Sequence, residues 1–143
     1  MEFITAEQFL KEDKEVQEVF VDWWKPSEFD VYSIKEDLSS HRVCKSDIED
    51  YKNDELYNIK SGYCIPLLTE GQLRQFITNN NEKSLRINWS SWSNYNNRKT
   101  FNYEFILSGW GEIGKVYEVN DCEDLLQAYW KVAVQIAKES IKH

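Results

Sequence analysis

Few side chains in this sequence carry the chemistry of an active site. Histidine occurs twice, as His41 in a polar stretch and as His143, the last residue, and neither position suits a general base on a rigid scaffold. His41-Arg-Val-Cys44 has the form of half a zinc pair, and Cys64 could add a third ligand. A closed zinc site takes four ligands, and no CxxC or second nearby histidine completes this one. The same residues lack an orienting Asn or Asp for a Cys-His nucleophile. Glu123-Asp124 and Glu49-Asp50 are adjacent carboxylates whose ordinary work is to cap or solvate helices rather than share a proton. Gly109-Trp-Gly-Glu-Ile-Gly114 falls between two strand patterns and opens no helix, so it reads as a hairpin and not as a phosphate cradle. No P-loop, HExxH or EF-hand loop is present. We therefore expect no catalytic residues, no metal site and no cofactor, and read the chain as a non-enzyme.

Recognition chemistry is better represented. Residues 1–60 hold sixteen Asp/Glu and eight Lys/Arg, whereas residues 61–143 hold nine of each, so the whole formal charge of −8 lies in the first part. The most polar stretch carries Glu36, Asp37, Asp47, Glu49, Asp50, Asp54 and Glu55. One reading is a solvated face that keeps a small domain soluble. The sharper reading is imitation of a phosphate backbone, in which these carboxylates occupy a basic nucleic-acid channel and shut the true substrate out. Such charge argues against direct nucleic-acid binding by the chain itself. A second constellation is Trp89-Ser-Ser-Trp92-Ser-Asn-Tyr95-Asn-Asn-Arg98-Lys99. Alternation buries Trp89 but leaves Trp92 and Tyr95 exposed beside Arg98, where they can stack on a nucleotide-like ligand. Aromatics and Arg are also the usual anchors of protein interfaces, and packing or protein contact is the reading we favour. A homodimer through these aromatics stays open.

The elements that must position these groups follow from periodicity. Thr5 and Gln8 form a capping box with Ile4 and Phe9 at the staple positions, and Val16, Val19, Phe20, Trp23 and Trp24 continue one apolar stripe until Pro26. Residues 6–24 are one helix, or two if Asp13 caps a second start. Residues 29–34 read as a short strand, and residues 35–60 fit helix and strand equally. Thr69 and Gln72 repeat the box before a helix that buries Leu73, Phe76 and Ile77, and Asn79-Asn80-Asn81 ends it, since asparagine tolerates left-handed backbone. Alternation then predicts strands over Leu85–Trp89, Phe101–Leu107 and Lys115–Val119. Asn120 with Glu123, or Asp121 with Asp124, opens a final helix with Leu125, Leu126, Tyr129, Trp130, Ala133, Ile136 and Ala137 inward. The expected fold is α+β: an antiparallel meander of about three strands (84–119) packed by N-terminal, central and C-terminal helices.

At 143 residues the chain reads as one domain, 1–143, with an acidic N-terminal part (1–60) and a charge-balanced α/β core (61–143). Cys44, Cys64 and Cys122 are odd in number and widely spaced, which favours reduced thiols in a cytoplasm over a disulfide scaffold. Met1 leads into Glu2-Phe3-Ile4-Thr5 without a basic or apolar leader, so no signal peptide is expected, and no apolar run reaches the roughly 20 residues that span a bilayer.

Three segments carry a family likeness. They are Glu15-Val-Gln-Glu-Val-Phe-Val-Asp-Trp-Trp-Lys-Pro26, Ile65-Pro-Leu-Leu-Thr-Glu-Gly-Gln-Leu-Arg-Gln-Phe-Ile77, and Leu125-Leu-Gln-Ala-Tyr-Trp-Lys-Val-Ala-Val-Gln-Ile-Ala137. Together they resemble small acidic accessory proteins of phages and prophages of low-GC Gram-positive bacteria. The likeness covers about a quarter of the chain and lies in helix starts and core stripes, so it bears on fold and origin rather than on a site. It implies action by binding in the cytoplasm of an infected or lysogenic bacterium. The implied role is inhibition of a host defence protein, as anti-CRISPR proteins do, with a nucleic-acid-binding nuclease as one partner class. A nucleotide-signal sequestering module and a structural or regulatory phage protein without a defence role are the alternatives.

Overall fold

The computed structural model describes residues 2–34, 37–43, 64–93, 99–109 and 114–141. Its first helix begins as the capping box requires. The Gln8 N–H donates to Thr5 Oγ1 and the Thr5 N–H donates to Gln8 Oε1, both at 3.1 Å. This helix, α1 (Ala6–Leu10), is short, and a second, α2 (Lys14–Trp23), starts after Asp13, so residues 6–24 form two helices. Gln17 ties the joint by donating from Nε2 to the carbonyls of Glu12 (2.8 Å) and Leu10 (3.4 Å). The stripe along α2 buries Val16, Phe20 and Val21, and the Phe20 ring meets Phe9 at 6.5 Å. Trp24 leaves the helix in extended backbone, two residues ahead of Pro26.

A three-stranded antiparallel sheet follows, with β1 (Val31–Ile34) between β2 (Asp37–Arg42) and β3 (Cys64–Pro66). β2 takes up part of the undecided stretch; residues 44–60 lie outside the described residues. The β1–β2 register shifts between Tyr32 and Ile34, and there the fully buried Ser33 donates its hydroxyl to the Ser39 carbonyl at 2.7 Å. β3 is buried along its whole length and contacts both α1 and α2. The Ile4 N–H donates to the Leu68 carbonyl at 3.0 Å and closes this core of Ile4, Phe9, Phe20, Ile65 and Leu68.

The helix α3 (Glu70–Ile77) buries Leu73 and Ile77. Asn79, Asn80 and Asn81 then take φ of 51°, 57° and 72°, the left-handed run expected of them. The Thr78 hydroxyl donates to the Arg74 carbonyl at 2.9 Å and accepts the Asn81 N–H at 3.2 Å, closing the helix end. The meander comprises β4 (Ser84–Ser93), β5 (Lys99–Ser108) and β6 (Lys115–Cys122), antiparallel in chain order; residues 110–113 of the expected hairpin lie outside the described residues. Opposite Asn102, β6 carries one residue too many, Asn120 and Asp121. Asp121 has φ 53° and its N–H donates to Asn102 Oδ1 at 3.0 Å. Asp124 Oδ1 accepts the Gln127 N–H at 2.9 Å and so caps α4 (Leu125–Ile141), three residues after the bulge. The Tyr129 ring of α4 stands edge-on to Phe105 at 5.1 Å, which places the helix over the central strand.

This is an α+β fold with four helices and two three-stranded antiparallel sheets among the described residues. Contacts gather the chain into two compact units, one of Phe3–Thr69 with the segment from Ala137 onward, the other of Glu70–Ile136. No described helix is long and apolar enough to cross a membrane.

Candidate functional site

Most of the groups that the sequence nominates for recognition fall outside the described residues: Glu36, Asp47, Glu49, Asp50, Asp54, Glu55, Tyr95 and Arg98. Asp37 and Trp92 are described by strand pairing alone, opposite Ile34 and Thr100. His41 stands beside the Tyr32 ring at 5.5 Å with Nε2 at 3.3 Å from Ser39 Oγ, and Cys64 and Cys122 are buried. Cys44, the other half of the zinc-like pair, lies outside the described residues. Among the described residues no three His, Cys, Asp or Glu side chains gather as metal ligands.

Trp89 corrects an expectation. Alternation puts it on the face that packs on α4, yet it is 65 % exposed, with Leu85 and Ile87 half-buried behind it. Alternation fixes which face a side chain takes, while burial depends on what covers that face. β4 is an outer strand, and full cover reaches Tyr103, Phe105 and Leu107 of the central strand and Val119 and Cys122 of β6 but no described residue of β4. The Trp89 ring rests edge-on against Phe101 at 6.1 Å instead.

Within the first unit the structure exposes acidic and aromatic side chains beyond those nominated from the sequence. Residues 1–34 hold nine Asp/Glu and three Lys, so six of the eight net charges precede the nominated stretch. On α2, Glu15, Glu18 and Asp22 are exposed at a spacing of three and four residues, the side opposite Val16 and Phe20. The loop that leaves α2 is fastened by Asp30, whose Oδ2 accepts the Trp24 indole N–H at 3.1 Å and the Ser27 N–H at 2.9 Å. Phe29 lies inside this loop. Its N–H donates to the Val43 carbonyl at 2.8 Å, its φ is 74°, and its side chain is 65 % exposed. A bulky residue held left-handed opposes folding by about 1–2 kcal/mol, and an exposed ring recovers little of that by burial. Only the spacing of the helix carboxylates was legible in advance; Phe29 had read as the first residue of a strand.

In the second unit the meander carries an open depression of about 420 Å³. Asn88, Trp89, Ser90, Asn102, Tyr103, Glu104, Glu118 and Asn120 line it. Glu104 and Glu118 stand directly opposite in register, an arrangement that weakens a sheet by about 0.2–1 kcal/mol. Asn88 Nδ2 donates to Glu104 Oε1 at 3.3 Å. The depression offers mainly acceptors, which suits hydrogen-bond donors and cationic side chains. Beneath it, burial and then the negative fields of Cys122, Asp124 and Glu70 push the Tyr103 phenol above its ordinary value of 10.0.

No family model, no curated protein and no solved structure matches this chain.

Proposed function

We propose that this is a phage-encoded binding protein that inhibits a host defence protein in the bacterial cytoplasm. It docks through its acidic first unit onto a basic, nucleic-acid-binding surface of that partner and displaces the nucleic acid. Phe29 carries the proposal. Left-handed backbone at an exposed aromatic works against folding and is held in place by the hydrogen bonds of Phe29 and its neighbours, and strain maintained in this way concentrates at functional sites. An aromatic anchor at the end of a row of carboxylates has the composition of an interface centre with a charged rim. Glu7, Glu15, Glu18, Asp22 and Glu28 supply the rim from described elements, and the carboxylates from Glu36 to Glu55 extend the same charge along the chain.

The test is capture of partners from a host lysate on immobilised protein, with elution by rising salt. A dominant nucleic-acid-binding partner should leave at moderate salt, because rim charges steer association through fields that salt screens. Phe29→Gly removes the anchor and relieves the backbone, so it should abolish capture while leaving thermal stability equal or higher. Glu15→Lys, Glu18→Lys and Asp22→Lys combined should slow association and flatten its salt dependence. If both variants retain the same partner as the wild type, the reading fails.

A further inference from the structure

The two outer strands of the meander are built differently. β6 carries the Asn120/Asp121 bulge, a left-handed Asp121 and the charges Lys115, Glu118 and Asp121, the devices that keep an exposed strand edge from pairing. β4 pairs with β5 in unbroken register from Ser84 to Ser93 and has no bulge, proline or glycine, and Arg86 is its single charge. Its side chains from Asn88 to Ser91 are exposed, Trp89 among them.

We infer that β4 is a homodimer edge, where two copies of the chain join their β4 strands antiparallel about a two-fold axis at Ile87. Charge selects both the occupant and the register. Glu70–Ile136 holds eight Asp/Glu and seven Lys/Arg, so like units do not repel through net charge. An axis at Arg86 would set two guanidinium groups face to face. An axis at Ile87 sets each Arg86 opposite the partner copy's Asn88, beside Glu104, which stands next to Asn88 in register. That carboxylate has an amide donor from Asn88 and no ion-pair partner among the described residues. The other face agrees with this register. Ile87 meets its own copy at the axis, and each exposed Trp89 covers the partner copy's half-buried Leu85. The Leu85 carbonyl accepts from Arg74 Nη2 at 3.3 Å and keeps a second lone pair for the partner strand. The contact is isologous, so it closes at two copies and leaves the bulged β6 edges outermost.

Sedimentation velocity on the full chain at micromolar concentration tests this. The wild type should run as a dimer. Arg86→Glu alone and Glu104→Arg alone should each weaken the dimer about ten-fold or more, since each places like charges across the axis. The double variant should recover wild-type association, which a merely misfolded protein would not do. A wild type that stays monomeric, or a double variant no tighter than either single one, overturns the inference.

Discussion

β4 and β5 pair over ten residues without a break, whereas β1 and β2 lose register after Tyr32 and β3 has three residues. The regular sheet belongs to the unit with nearly balanced charge; the irregular one belongs to the unit that holds most of the excess carboxylates. Regularity and charge thus separate the two units. In the second unit long, continuous pairing runs over an aromatic core, and there a ring such as Phe105 is fully buried. The first unit holds its loop with individual hydrogen bonds, at Asp30 and at Ser33, and leaves Phe29 in water. Phenylalanine is packed in both units, at Phe9 and Phe20 in the first and Phe105 in the second, and Phe29 departs from that pattern.

That contrast can be tested by substitution. The largest effect should come from Phe105→Ala, which empties the centre of the meander against Tyr129 and should lower unfolding free energy by about 3–5 kcal/mol in a urea titration. A loss below about 1 kcal/mol would mean that the regular sheet is not where stability resides. Next is Thr5→Ala, which opens the capping box of α1 and should lower stability by about 1 kcal/mol. A much larger loss would show that the first unit also depends on cooperative packing through its short helix. The smallest effect is electrostatic. The folded protein holds the Tyr103 proton more firmly than the unfolded chain, so stability contributed by the neutral phenol is complete below pH 10.0 and declines as pH rises through the raised folded value. The wild-type thermal midpoint should therefore fall relative to that of Tyr103→Phe as pH rises above 10.0, and a constant difference would contradict the shift.

The parts of the fold that could be read from the sequence are those decided within a few residues. The Thr5–Gln8 box, the left-handed Asn79–Asn81 run and the alternation along β5 each depend on neighbours in the chain, and each takes the expected form. The joint at Asp13 was visible as an ambiguity, which Gln17 settles by bonding across it. What could not be read depends on distant partners. Trp89 obeys the alternation and is still exposed, because the strand's place at the sheet edge is set by topology. Phe29 fits a strand pattern, but a bond to the Val43 carbonyl, fourteen residues on, turns its backbone left-handed. The β1–β2–β3 sheet was invisible for the same reason, since Tyr32 pairs with Pro66 across a long connection. For the candidate site, carboxylate spacing on α2 was legible and the aromatic anchor was not.

The extra residue in β6 bears on how this chain can vary. In an ordinary strand, losing one residue turns every later side chain to the opposite face. Between Val119 and Cys122 the two-against-one pairing already supplies the spare position, so a gene that drops the codon for Asp121 leaves Cys122 facing Phe101. Length is negotiable there without inverting the strand. Relatives that differ by a single-codon deletion in the meander should carry it at this point.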